Sequence, residues 1–314
     1  MRKQVTDTLM MIRPASFHLN EETAVNNYFM REIEGASSNA IQEQAVKEFD
    51  DFVEVLRSAG IIVHVFQDVL EEDTPDSIFP NNWVSFHDEG RLIIYPMYAE
   101  NRRKERKLRV YEELSAHFEI TEINDQLLHS EKEGKFLEAT GSLIFDCKNR
   151  IAYAAISERT HPDLLAEFSE MTGYRVVSFV ANQTVDNERK PIYHTNVMMC
   201  IGEEFALICA DTIDDENTRK AVLDSLINGG KEIILISEEQ MEQFAGNMLQ
   251  VKNVNNERFV VMSQSAFDSL SEDQKVRLGK HGSLLSSPIP TIETLGGGSA
   301  RCMMAEVFLP KKSN

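Results

Sequence analysis

The sequence predicts an α/β protein built from one repeated unit, strand–strand–helix–strand, whose copies close into a ring. Three observations carry this prediction. Strand-like apolar runs alternate with single amphipathic helices in a fixed order. The aromatic residues that lead three successive units, Phe79, Phe136 and Tyr193, stand 57 residues apart, and a fixed period of this length marks an internally repeated architecture. Finally, the last unit is split between the two chain ends, which a closed ring explains.

The first unit has the runs FPNNWVSF from Phe79 and RLIIYP from Arg91, a helix from Asn101 to about Phe118, and the short run EITEI. The second has FLEATGSLIFD from Phe136, RIAYAAIS, a helix opening at Pro162, and YRVVSFV. YHTNVMMCIG from Tyr193, FALICADTI, a helix from about Glu216 to Ile227, and EIILIS form the third. FAGNMLQV, RFVVMSQS and a helix from near Ser271 to before Gly282 belong to the fourth. The fifth joins GGGSARCMMAEVFLP to TLMMIRPASF, a helix from Ile41 to Ala59, and IIVHVF. Three leading runs share the pattern aromatic-x-x-Asn-apolar, at Phe79 to Trp83, Tyr193 to Val197 and Phe244 to Met248. One domain over 1–314 is expected, with its last repeat closed by both termini.

Composition narrows the function. The 314 residues carry 32 Lys and Arg against 51 Asp and Glu, a net charge of −19, so the mean field repels nucleic acid and anionic lipid. The densest basic run, Arg102-Arg103-Lys104 to Lys107-Leu108-Arg109, reads first as a solvated helix face. No apolar stretch approaches a membrane span, and no leader precedes the first unit, which points to the cytoplasm. Cys147, Cys200, Cys209 and Cys302 are far apart, as suits free thiols in a reducing compartment. The eight histidines never fall at zinc spacing, so no metal is expected.

In a closed ring the ends of the leading runs converge on one face. That brings together Asn82, Glu138, His194, Asn196 and the segment before Cys302, an inventory for nucleophilic catalysis at a planar carbon. Gly296, Gly297 and Gly298 allow close backbone approach to a ligand beside the thiol. No phosphate loop is read here, because no Lys-Ser or Lys-Thr and no helix follows; Cys302 to Leu309 reads as a strand. Taken singly, Cys302 and His194 have bland structural readings. Glu138 is the least bland, since an unpaired carboxylate in an apolar run is costly.

The pieces FPNNW, FLEATGS, ISERT, YHTN and GGGSARCMM, in this order from Phe79 to Pro310, resemble the pentein guanidino-group modifying superfamily: arginine deiminases, dimethylarginine hydrolases and amidinotransferases. The likeness is greatest to the amidinotransferase-related branch that includes citrulline-utilising hydrolases. The resemblance implies a five-bladed α/β propeller with fivefold pseudosymmetry, free of metal and cofactor. It implies Cys302 as nucleophile, His194 as general acid/base and Glu138 as the acid contacting both His194 and a substrate nitrogen. Arg102, or its neighbour Arg103, and Arg159 match arginines that hold a substrate carboxylate, a task suited to a bidentate guanidinium.

The pattern departs from the family at Asn82 and Asn196, where guanidinium-binding members usually carry aspartate. An amide donates as well as accepts, so two amides fit a neutral ureido group. The expected activity is therefore cysteine-dependent hydrolysis of a ureido or guanidino C–N bond in an arginine-related amino acid, with citrulline converted to ornithine, ammonia and carbon dioxide. Alternatives within the fold are an amidinotransferase or an arginine or dimethylarginine deiminase-type hydrolase; outside catalysis, a pentein binding module. The expected partner is a small amino acid, with no nucleic acid and no membrane, and a homodimer is left open.

Overall fold

In the computed structural model of the protein, residues 3–33 and 35–312 are described. They form a mixed α/β fold with six small sheets. Five are three-stranded and share one pairing plan. Val84–Phe86 pairs antiparallel with Arg91–Ile94, which pairs parallel with Glu122–Asn124. The same order recurs in Ile144–Asp146, Ile151–Ala155 and Arg175–Phe179, and in Met199–Ile201, Phe205–Ile208 and Glu232–Leu235. Leu249–Lys252, Arg258–Ser263 and Ser283–Ser287 repeat it. The fifth sheet joins the chain ends, with Ala305–Glu306 antiparallel to Thr8–Arg13 and Thr8–Arg13 parallel to Ile62–Gln67.

A parallel pair needs a crossover, and the amphipathic stretches supply it: Leu108–Ser115, Pro162–Thr172, Glu216–Asn228 and Ser38–Ser58. Their ends follow local chemistry. Ser37 and Asp215 accept from the Ala40 and Thr218 N–H groups as N-caps, and Gly173, at φ 70°, ends the Pro162 helix in the left-handed conformation. The middle strands Ile151–Ala155 and Phe205–Ile208 are buried along their whole length. That is why they read as continuous apolar runs rather than alternating ones. No helix among the described residues is long and apolar enough to cross a membrane.

Several expectations are corrected. The leading motifs are not strands: Pro80–Asn82 is a 3-10 turn, while Ala139–Ser142 and Thr195–Met198 are single helical turns, and the strands begin after them. Cys302 likewise lies in consecutive turns, its N–H donating to Ser299 O at 2.9 Å, and the strand is only Ala305–Glu306. One helical turn is too short to show a 3.6-residue period, so apolar runs through it look like strand. The helix expected from Asn101 to Phe118 divides into a 3-10 turn, Asn101–Glu105, and Leu108–Ser115. Arg102 is no solvated helix face; it is 2% exposed. The fourth unit has two helices, Gln264–Ser269 and Glu272–Gly279.

The sixth sheet is an unanticipated hairpin of Asn182–Val185 and Glu188–Pro191. Asp186 and Asn187 have φ of 52° and 63°, as a two-residue type I′ turn requires.

One buried ion pair ties the second sheet to the third. Lys231 Nζ lies 3.2 Å from Asp146 Oδ1, with both side chains fully buried, and donates to Gly202 O and Glu203 O. Lys231→Met leaves Asp146 charged without its partner, and urea denaturation is expected to register a loss of about 3–5 kcal/mol.

Candidate active site

The leading turns stand directly before the first strand of each sheet, so their polar side chains project toward one another. Glu138 is the residue just before the turn Ala139–Ser142, and His194 is the residue just before Thr195–Met198. Glu138 is fully buried. Its Oε1 accepts from the Tyr98 N–H at 2.9 Å, and its Oε2 accepts from His194 Nε2 at 2.7 Å. Arg159 Nη1 lies 3.6 Å from the same Oε2. Burial opposes the charge, but Arg159, the His194 hydrogen bond and Arg102 together hold the Glu138 carboxyl well below the usual carboxylate range. Burial pushes His194 below its ordinary value, with Glu138 pulling the other way. Because a carboxylate only accepts, Nε2 carries the proton in the neutral ring and Nδ1 is left as the acceptor.

Cys302 is 3% exposed. Asn196 Nδ2 lies 3.4 Å and Asn247 Nδ2 3.3 Å from its Sγ. Asn247 reaches the sulfur because the preceding residue is glycine. A Cβ on Gly246 would lie 2.1 Å from Val197 O, so a side chain there would push the two turns apart. The glycine run works similarly at Gly297, which has φ +58° and whose carbonyl accepts from Tyr193 Oη at 2.6 Å.

Asp76, Asn82, Arg102, Arg159, His194 and Cys302 line one narrow cavity. Arg102 is held by Glu105 through Nε at 2.9 Å and Nη2 at 3.0 Å, and its Nη1 donates to Asn82 Oδ1 at 2.9 Å. Arg159 donates to Thr23 O and Asn26 Oδ1, and its guanidinium lies 5.0 Å from the Tyr193 ring centroid and 5.7 Å from that of Tyr98. Arg103 turns elsewhere, donating to Met97 O and Tyr98 O. Three of the buried polar atoms that lack a hydrogen-bond partner belong to this neighbourhood: Asn82 Nδ2, Asn196 Oδ1 and Asp76 Oδ1. Unsatisfied groups of this kind are costly unless a ligand completes them. No cluster of three or more His, Cys, Asp or Glu among the described residues is placed to hold a metal ion.

Residues 13–309 match the family described as N,N dimethylarginine dimethylhydrolase, eukaryotic. The chain belongs to this family. It is thereby a member of the pentein superfamily of guanidino-group modifying enzymes, whose hydrolases act on carbon–nitrogen bonds other than peptide bonds. No curated protein matches the chain. Among solved structures it is similar to the N-terminal domain of ArgZ, an arginine dihydrolase from the ornithine-ammonia cycle in cyanobacteria, with 18% identity and TM-score 0.73, covering 96% of this chain and 98% of that domain. Against apo ArgZ the match covers 41% of the longer chain. It is also similar to unliganded AgrE, with 18% identity and TM-score 0.71 over 98% of this chain and 40% of that one. A dimethylarginine dimethylaminohydrolase gives 16% identity and TM-score 0.61 over 98% of this chain and all of that one. At these identities the likeness is one of fold.

The structure brings Asn82, Glu138, His194, Asn196, Cys302, Arg102 and Arg159 into one neighbourhood. Sequence reasoning missed Asn247 and Asp76. Asn247 was signalled by the third copy of the aromatic-x-x-Asn pattern. Asp76 is 2% exposed, and its Oδ2 accepts from Asn20 Nδ2 and Thr23 Oγ1; nothing in the local sequence distinguishes it from a turn aspartate.

Replacing Cys302 by Ser is expected to abolish turnover with little change in thermal stability, since the side-chain volume barely changes. Residual activity within about tenfold of wild type, measured as ammonia release, would exclude the thiol as nucleophile, because losing a covalent step costs several kcal/mol.

Proposed function

We propose that the protein is a cysteine-dependent hydrolase that cleaves the ureido C–N bond of citrulline, giving ornithine, ammonia and carbon dioxide. The observation that carries the reading is the orientation of Asn82. Arg102 has only donors, so Asn82 must turn its Oδ1 toward Arg102, which leaves an unpartnered Nδ2 on a residue that lines the cavity, beside the His194 ring. An enforced donor there suits a ureido oxygen. Asn196 Oδ1 and Glu138 offer acceptors for the ureido N–H groups.

In this reading the Cys302 thiol passes its proton to His194 Nδ1, the resulting thiolate attacks the ureido carbon, and the bond to the alkyl nitrogen breaks. His194 delivers the proton to that nitrogen, ornithine departs, and an S-carbamoyl enzyme remains. His194 then takes a proton from water, which adds to the carbamoyl carbon and releases carbamic acid; this decomposes to ammonia and carbon dioxide. Arg159 and the remaining Arg102 N–H suit the α-carboxylate, and Asp76 Oδ1 suits the α-ammonium. The five three-stranded sheets, alike in order and pairing sense, serve as the blades of one propeller around this centre. Four free cysteines suit a cytoplasmic enzyme.

A second reading, hydrolysis of arginine or a methylated arginine, is favoured by Asp76. Its unpartnered carboxylate oxygen lines the same cavity and would pair with a cationic guanidinium.

Asn82→Asp discriminates between the two. Asp still accepts from Arg102 but presents an acceptor to the ureido oxygen. The kcat/KM for citrulline is expected to fall by about 5- to 150-fold, the equivalent of roughly 1–3 kcal/mol, while that for arginine holds or rises. Equal losses for both, or a wild type inert toward citrulline, would overturn the ureido reading.

A further inference from the structure

The negative charge on a nucleophilic sulfur needs solvation, and Cys302, at 3% exposure, receives little from water. Among the described residues its hydrogen-bond donors are two neutral amides, Asn196 and Asn247. The orientation of Asn247 is fixed by the backbone. Its Oδ1 accepts from the Arg301 N–H at 3.0 Å, and one Nδ2 hydrogen goes to Asn196 O at 3.0 Å. The second hydrogen is thereby left for Sγ at 3.3 Å. A flipped amide would set Oδ1 against a carbonyl and Nδ2 against an N–H, losing both backbone contacts. Asn247 Oδ1 also lies 3.7 Å from Sγ, a long contact open to the neutral thiol, whereas the shorter N–H contact serves the anion.

We infer that Asn247 is a catalytic residue whose side-chain N–H, together with that of Asn196, solvates the Cys302 thiolate from which the attack starts. The inference rests on Cys302 being the nucleophile of the proposed reaction. Hydrogen bonds to an ionised acceptor are about twice as strong as neutral ones, so these two contacts strengthen when the sulfur carries charge. Neutral donors bring no additional cation into the cavity, which already holds Arg102 and Arg159. They also bear no titratable proton, so the cradle keeps its form across the working pH range. Its source is the internal repeat. Asn196 and Asn247 occupy the same position in successive copies of the aromatic-x-x-Asn pattern, and Gly246 lets those two turns approach until both amides meet one sulfur.

The test measures the sulfur directly. The thiolate displaces iodide from iodoacetamide and forms an S–C bond to its methylene carbon, and mass spectrometry of the Cys302 peptide gives the rate at neutral pH. Asn247→Asp keeps the acceptor for Arg301 but replaces the donor to sulfur with a carboxylate oxygen; its Cys302 alkylation is expected to slow by about tenfold or more, with kcat falling alongside. Asn196→Asp should slow alkylation in the same direction. Asn247→Ser, which keeps an oxygen near Arg301 and is too short to reach the sulfur, decides by the same criterion if Asn247→Asp does not fold. Alkylation within about twofold of wild type in a folded Asn247 variant would overturn the inference. The two readings fail separately. If Cys302→Ser retains turnover, the proposed reaction falls while the alkylation result still judges the cradle; if alkylation is unmoved by Asn247 but Cys302→Ser is dead, the reaction stands without it.

Discussion

Glu138 carries a charge where water is excluded, and the surrounding structure is arranged around that cost. A buried carboxylate is tolerated only when paired and hydrogen-bonded. Tyr98 N–H, His194 Nε2–H and the Arg159 guanidinium supply the pairing. Each partner transmits the constraint further. His194 is held in one tautomer, with Nδ1 as its acceptor. Arg159 is in turn committed to Thr23 O and Asn26 Oδ1, which ties the segment around the short helix Glu21–Ala24 to the site. The Tyr193 ring lies against Arg159, while its hydroxyl donates to Gly297 O in the loop that leads to Cys302. The acid, the base, the covering segment and the nucleophile loop thus share one network, and a network of this kind is costly to satisfy in part.

The internal repeat supplies three asparagines at equivalent positions, and their neighbours give them different work. Asn82 meets a donor-only partner, Arg102, and its N–H is left without a partner. Asn196 and Asn247 meet a sulfur and turn their N–H groups inward. An amide can do either because it has both a donor and an acceptor; an aspartate at these positions could only accept.

Legibility in the sequence followed the length of the signal. The central strands Ile151–Ala155 and Phe205–Ile208 and the helices Pro162–Thr172 and Glu216–Asn228 carry enough residues to display a period, and they were readable nearly to their ends. The single turns at Ala139–Ser142 and Thr195–Met198 do not, so in sequence they read as strand. Arg102 looked like surface charge because its neighbours Arg103 and Lys104 are basic. Its burial is compensated by the bidentate contact from Glu105, three residues on, by Asn82 Oδ1 and by the Asp76 and Phe79 carbonyls. The hairpin around Asp186 and Asn187 went unread because it interrupts the repeat rather than continuing it.

By itself the sequence determined the α/β class, the order of elements within each unit, and the set of residue types, Cys302, His194, Glu138 and the asparagines, from which a site could be made. These depend on local period and on chemistry borne by single side chains. Tertiary structure alone decided which atoms of those residues meet: that Nε2 rather than Nδ1 of His194 faces Glu138, that Asn247 joins Asn196 at the sulfur, and that Asp76 belongs to the cavity. The reason is that an amide or imidazole has two faces of opposite hydrogen-bonding character. Which face is presented is chosen by partners tens of residues away, brought close only when the sheets assemble.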